Sequence, residues 1–196
     1  MISGHEPRRA PRARLAAALC LAAWAAPAAA DDFESILEAI ETPRDVPIPF
    51  VEKRGNALLA EPLVLTGDAE FGADGTLSKS IETPFRERVV ITRDMLVLTR
   101  DGRTRRLSLQ RKDDVRQFYA ALRALLEGDA QTLRELFTIE TARNADCWRL
   151  VLVPAAEPLA AFVGRMVVSG RSSRVLEVRT EHAADDWQSL SFGGAP

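Results

Sequence analysis

Residues 63–71 read LVLTGDAEF, and apolar and polar side chains alternate along this stretch. Leu63, Leu65 and Phe71 share the apolar phase. Successive side chains of a β-strand point to opposite faces, so the pattern predicts a strand with one buried face. Gly67 lies in the same phase, which indicates a bend or a close approach between two backbones.

Similar short segments lie on both sides of this stretch, bounded by turn signals such as Asp101-Gly102. The block that begins at Phe50 continues with Leu77–Thr83, Glu87–Thr92, Met95–Arg100 and Thr104–Leu109. A second block contains Thr138–Thr141, Trp148–Val153, Arg165–Ser169, Val175–Thr180 and Gln188–Phe192. Strands that are neighbours in sequence usually pair in space, so we expect about ten antiparallel strands in an α+β fold.

Helical spacing separates the two blocks. From Asp113 to Gly128 the apolar residues form one stripe, and Gly128 is a typical residue for a helix end. A shorter pattern predicts a second helix from about Ala130 to Phe137, and residues 32–40 predict an earlier one. Helices inserted between two blocks of strands can cover one open face of a sheet. We therefore expect the longest helix to act as a movable cover over that face.

The first 30 residues have the pattern of a secretory signal peptide. Four arginines precede the apolar run Leu15–Ala26, and the small residues Ala28-Ala29-Ala30 stand before Asp31. The run is shorter than the roughly 20 residues that cross a membrane. We expect cleavage before Asp31, a mature single domain of residues 31–196, and a periplasmic location. Cys20 would matter only if the leader were processed as that of a lipoprotein.

The composition of the remaining chain excludes several classes of function. The leader holds four of the 26 basic and one of the 28 acidic residues, so the mature net charge would be −5 and no nucleic-acid partner is expected. His182 would be the one remaining histidine, either a general base or a solvated residue at a strand end. Cys147 would be the one cysteine, either a buried small hydrophobe, which we expect, or a reactive thiol. We expect no catalytic residue, metal or cofactor.

Two segments and one predicted hairpin carry a resemblance to a known family. These are Phe50-Val51-Glu52-Lys53, Gly67-Asp68-Ala69-Glu70-Phe71, and the pair Val89-Val90-Ile91 and Met95-Leu96-Val97-Leu98 after Pro84. Together they resemble the periplasmic LolA lipoprotein carriers, in particular a divergent branch, over nearly all of the mature chain. The resemblance implies a curved antiparallel sheet that forms an incomplete β-barrel, with helices over its open face and an apolar hollow for acyl chains.

The same resemblance implies partners and a binding surface. The cargo would be lipid acyl chains or lipoproteins, handed by a monomeric carrier from an inner-membrane donor to an outer-membrane acceptor. A non-transporting module that senses lipids or lipoproteins is the alternative. One departure is that Gly72-Ala73-Asp74 replaces the family's Arg-Pro step, so no arginine is carried over to that place. The expected lipid-binding residues are Leu63, Leu65, Phe71, Leu77, Val90, Leu96, Leu98, Phe118 and Leu122.

Overall fold

The computed structural model describes residues 29–182 and 186–193, with side chains from residue 32 onward. Eleven β-strands in this part of the chain form one antiparallel sheet. The strands are β1 (Ile48–Gly55), β2 (Leu63–Phe71), β3 (Leu77–Thr83), β4 (Glu87–Ile91), β5 (Met95–Arg100), β6 (Arg103–Ser108), β7 (Phe137–Asn144), β8 (Cys147–Pro154), β9 (Val163–Arg171), β10 (Arg174–His182) and β11 (Trp187–Phe192).

The first and the last strand of the chain are neighbours in the sheet. The order of strands runs β6-β5-β4-β3-β2-β1-β11-β10-β9-β8-β7, so β1 and β11 are neighbours and Phe50 pairs with Phe192. All other neighbours are consecutive in sequence, as the turn signals predict. β6 and β7 are the two edges, and the sheet is a curved, incomplete barrel that does not close. The predicted fold class is therefore confirmed.

Three α-helices accompany the sheet in the described part of the chain: α1 (Ala29–Ala39), α2 (Asp113–Glu127) and α3 (Ala130–Leu136). Two acidic residues occupy the first turn of α2, where they favour the positive end of the helix dipole. Gly128 ends α2 with φ of 75°, a left-handed conformation that glycine adopts without steric cost. Asp129 then caps α3 by accepting a hydrogen bond from the Thr132 amide at 3.0 Å.

The register of the pairs assigns each residue to one of two faces, because directly paired residues share a face. We call the face that carries Phe50, Leu65 and Leu150 the inner face. The helices pack against it through a large buried cluster that includes Ile36, Leu125 and Leu133. A smaller cluster on the same face consists of Phe50, Leu65 and Ile81.

Most predicted elements are confirmed, and the differences are local. The structure has eleven strands where we expected about ten, and the segment between β8 and β9 contains a single 3-10 turn at Leu159–Ala161. The prediction that Cys147 is buried is wrong, because its side chain is exposed. Cys147 alternates with the buried Trp148 beside the β7–β8 turn, so the pleat points it to the opposite face.

The predicted leader lies almost wholly outside the described residues. Within those residues, no helix has the length and apolar composition needed to cross a membrane.

Candidate lipid-binding surface

The inner face has a covered part and an open part. On β8 and β9, Leu150, Leu152, Met166 and Val168 are fully buried beneath the helices. On β3 to β5 the apolar inner residues Leu77, Val89, Ile91, Leu96 and Leu98 are half-buried, and on β6 Leu107 is 40% exposed. We define the open part by six apolar residues that belong to neither buried cluster of the described chain: Leu77, Val89, Ile91, Leu96, Leu98 and Leu107.

Pairing aligns these residues into rows across the strands. In the first row Leu77 pairs with Ile91, Ile91 with Leu96, and Leu96 with Leu107. Neighbouring strands lie about 4.8 Å apart, so this apolar row extends about 14 Å across four strands. Val89 and Leu98 pair in the next row and widen the apolar area. The result is a contiguous hydrocarbon surface on the inner face.

Charged side chains flank the apolar rows toward the β3–β4 and β5–β6 turns. Lys79 and Arg105 stand at the two ends of the second row, and the third row holds Glu87, Arg100 and Arg103. Arg100 lies 3.8 Å from Glu87, and its guanidinium stacks on the Phe85 ring at 4.0 Å. A pocket of about 550 Å³ opens beside this row, and it is lined by as many acidic as basic residues.

A buried carboxylate stands next to the open part. Glu52 is fully buried on β1, where Arg54 binds both of its oxygens at 3.0 and 3.1 Å and Lys79 binds one at 2.5 Å. Burial lowers the pKa of Lys79, and the adjacent Glu52 opposes that change. Lys79 also lies 5.1 Å from the centre of the Phe50 ring. The network pairs the buried charge of Glu52 and holds the half-buried Lys79 beside it.

The predicted contact residues divide into several groups. Leu77, Leu96 and Leu98 lie together on the open part. Leu65 and Phe71 are on the inner face but sealed inside the protein, and Leu63 is exposed near the start of β2. The predicted residues therefore do not lie on one surface, and their contact with lipid stays a prediction.

Val90 needs a correction of its placement. It pairs with Ser78 and Val97, so it lies on the outer face, opposite Leu77 and Leu96. The run Val89-Val90-Ile91 is apolar in both phases, which is why alternation alone did not assign a face. Sequence reasoning missed Val89, Ile91 and Leu107. The alternation of Leu107 with Arg106 was the available signal for the last of these.

The two predicted residues on α2 lie outside the open part. Phe118 and Leu122 pack against the large buried cluster, and the Phe118 ring meets the Phe162 ring edge-on at 5.4 Å. The neighbouring Tyr119 donates a hydrogen bond of 2.6 Å to the Gly75 carbonyl in the β2–β3 turn. This bond ties α2 to the border of the open part, two residues before Leu77.

The family described as "Outer membrane lipoprotein carrier protein LolA-like" matches residues 25–196, a range that includes every strand and helix described above. The chain belongs to this LolA-like family. A LolA-like fold indicates binding of lipids or lipoproteins, and the family is generally non-enzymatic. No curated protein sequence matches the chain.

Several solved structures are similar to this LolA-like protein. A LolA superfamily protein, NE2245 from Nitrosomonas europaea, is 12% identical, with a TM-score of 0.41 and coverage of 85% of this chain and 92% of that one. A DUF1329 family protein from Desulfovibrio piger is 12% identical, with a TM-score of 0.40 and coverage of 83% and 89%. LprF from Mycobacterium bovis is 10% identical, with a TM-score of 0.37 and coverage of 85% and 94%.

Other chemistry-bearing residues are accounted for by local contacts. His182 ends β10, where its Nδ1 lies 3.1 Å from the Phe162 carbonyl and its ring packs on the Phe162 ring. The expectation of a residue at a strand end is confirmed, although His182 is half-buried rather than solvated. Among the residues that the structure describes, no group of three His, Cys, Asp or Glu side chains is placed to hold a metal ion.

Residues 72–74 contain no arginine, but the side chain of Arg44 lies beside Gly72 in the structure. Its guanidinium stacks on the Phe71 ring at 4.1 Å, and its Nη1 donates to the Gly72 carbonyl at 3.5 Å. A cation from the segment before β1 thus contacts the end of β2.

Proposed function

We propose that this protein is a periplasmic carrier that binds acyl chains of lipoproteins or other lipids on the open part of the inner face. The single observation that carries the proposal is the row Leu77, Ile91, Leu96 and Leu107, apolar on four adjacent strands yet outside both buried clusters. A contiguous apolar surface that the protein leaves uncovered is typical of a ligand site. Membership of the LolA-like family supports the same proposal.

The energetics suit reversible binding. An acyl chain of about 16 carbons gains on the order of 12 kcal/mol when it leaves water, at roughly 0.8 kcal/mol per buried methylene. The same chain gains a comparable amount in a membrane, so the net free energy of transfer between membrane and protein is small. A carrier needs this near balance, because it accepts and releases the same chain.

The test compares two neighbouring residues of β5 that point to opposite faces. Leu96 lies on the open part and Val97 on the outer face, and both are half-buried. We expect Leu96→Asn to weaken binding of a fluorescent fatty acid by roughly tenfold, because an apolar contact is replaced by an amide. Val97→Asn is the matched control and leaves the affinity unchanged. Equal loss in both variants would contradict the proposed surface.

Transfer distinguishes the carrier from a sensing module. We expect the protein loaded with the fluorescent fatty acid to deliver it to lipid vesicles faster than the probe moves between vesicles alone. Binding without accelerated delivery would instead support a module that senses lipids and reports to a protein partner. As a carrier, the protein would receive its cargo from a donor complex at the inner membrane and deliver it to an acceptor complex at the outer membrane.

The proposed location depends on the leader. We propose that residues 1–30 direct export and are removed, which leaves one lipid-binding domain that begins at Asp31. The measurement is the intact mass of the exported protein. A retained leader, or the added mass of a diacylglycerol on Cys20, would contradict this assignment.

A further inference from the structure

We propose that the lipid bound on the open part carries an anionic headgroup and that Arg103 and Arg105 bind this headgroup. The inference rests on the proposed function, since it names the class of lipid for the same surface. It goes beyond a hydrocarbon site because it assigns the polar end of the ligand to two particular side chains.

The placement comes from β6. Leu107, Arg105 and Arg103 are alternate residues, and their pairing with Leu96, Leu98 and Arg100 puts them all on the inner face. Alternate residues of a strand lie about 7 Å apart. Arg105 is therefore the nearest inner-face neighbour of Leu107 along β6, and Arg103 is the next one. A lipid whose chain covers Leu107 and Leu96 therefore has its polar end beside Arg105 and Arg103.

The two arginines are available for a ligand. Both are exposed, and in the described part of the chain neither forms an ion pair with a carboxylate. The other cations of the same rows are engaged, because Lys79 is bound to Glu52 and Arg100 lies near Glu87 and Asp101. Two unpaired guanidinium groups beside an apolar row thus complement a phosphate-bearing lipid.

Protection of a free sheet edge is the competing explanation. β6 is an edge strand, and charges on edge strands discourage pairing with other chains. That role does not depend on the face, so Arg106, which points to the outer face of the same strand, would serve it equally. A headgroup site requires Arg103 and Arg105 but not Arg106. This difference supplies a matched control.

The experiment uses the mature protein and vesicles of equal parts phosphatidylcholine and phosphatidylglycerol. After the vesicles are removed, lipid retained by the protein is quantified by mass spectrometry. We expect phosphatidylglycerol to be enriched about fivefold over phosphatidylcholine, with the enrichment decreasing at high salt. The double variant Arg103→Gln and Arg105→Gln should retain both lipids without preference. Arg106→Gln should keep the enrichment.

Other results of this experiment would contradict either the headgroup assignment or the proposed function. Equal retention of both lipids by the unaltered protein overturns the headgroup assignment and leaves the proposed function intact. Retention of no lipid, together with no binding of the fluorescent fatty acid, contradicts the proposed function itself. Loss of the preference in Arg106→Gln shows a non-specific effect of edge charge. Sedimentation with the vesicles without any retained lipid indicates surface adsorption and also overturns the inference.

Discussion

The covered and open parts of the inner face are built from the same kind of strand, yet only one of them is sealed. On β8 and β9 the inner residues Leu150, Leu152 and Met166 are fully buried, whereas Leu77 and Leu96 on β3 and β5 are half-buried. The difference lies in the helices, which contribute their buried side chains to the cluster over β7 to β9. One continuous sheet can therefore provide a folding core at one side and a surface for an apolar ligand at the other.

The largest expected effect concerns the boundary between the two parts. Leu65 is fully buried and pairs with the buried Glu52, so Leu65→Glu places a second carboxylate beside an already buried one. We expect loss of the cooperative thermal transition, because an unpaired buried charge costs several kcal/mol. Leu96→Glu on the open part is the control and should melt cooperatively. Calorimetry decides this, and a cooperative melt of Leu65→Glu near that of the unaltered protein would show that Leu65 is not sealed.

A leucine truncation in each part gives the next largest contrast. We expect Leu152→Ala to lower the free energy of unfolding by about 3 kcal/mol, since it leaves a cavity beneath the helices. Leu98→Ala on the open part should lower it by about 1 kcal/mol or less, because solvent or ligand already contacts that side chain. Urea unfolding with unchanged m-values provides the comparison. Similar losses at the two positions would mean that both parts are packed alike.

The smallest effect concerns α2, which borders the open part. The Tyr119 hydroxyl, whose pKa burial raises, donates a hydrogen bond to the Gly75 carbonyl. Tyr119→Phe removes that bond at a cost of about 1 kcal/mol. If α2 is the movable cover that the sequence predicts, a bound acyl probe should exchange with vesicles roughly fivefold faster.

Asp129→Ala is the control for this experiment. It removes the side-chain cap of α3 and lowers stability by a similar amount of about 1 kcal/mol, without removing the Tyr119 hydrogen bond to Gly75. We expect no change in the exchange rate of the acyl probe. Unaltered exchange in Tyr119→Phe, or equal acceleration in both variants, would show that α2 is a fixed part of the covered core.

The strands and helices were largely predictable because their signals are local. The alternation in residues 63–71 gives β2, and Asp113 and Gly128 mark the two ends of α2. Pairing of β1 with β11 was not predicted, since nothing in either segment specifies a partner more than 130 residues away. The family resemblance supplied the incomplete barrel, and periodicity alone would have left the sheet's closure undetermined.

The candidate surface was predictable only in part. Leu77 follows from alternation with Ser78, whereas the faces of Val90 and Leu96 are ambiguous because both neighbours of each residue are apolar. Glu52 shares the phase of the buried Phe50, so its burial could be predicted. Its two ion-pair partners, Arg54 on β1 and Lys79 on β3, compensate the buried charge. Which inner residues stay uncovered depends on where the helices pack, and helix placement is a tertiary property that no single segment encodes.

The most direct test of the account is to locate a bound acyl chain. A fatty acid with a photoreactive diazirine near its methyl end is bound to the mature protein, crosslinked by light and mapped by peptide mass spectrometry. We predict adducts within residues 77–107, on β3 to β6, and a decrease in their yield in Leu96→Asn but not in Val97→Asn. Adducts confined to β7 to β10 or to the outer face would contradict the assignment of the open part as the lipid-binding surface.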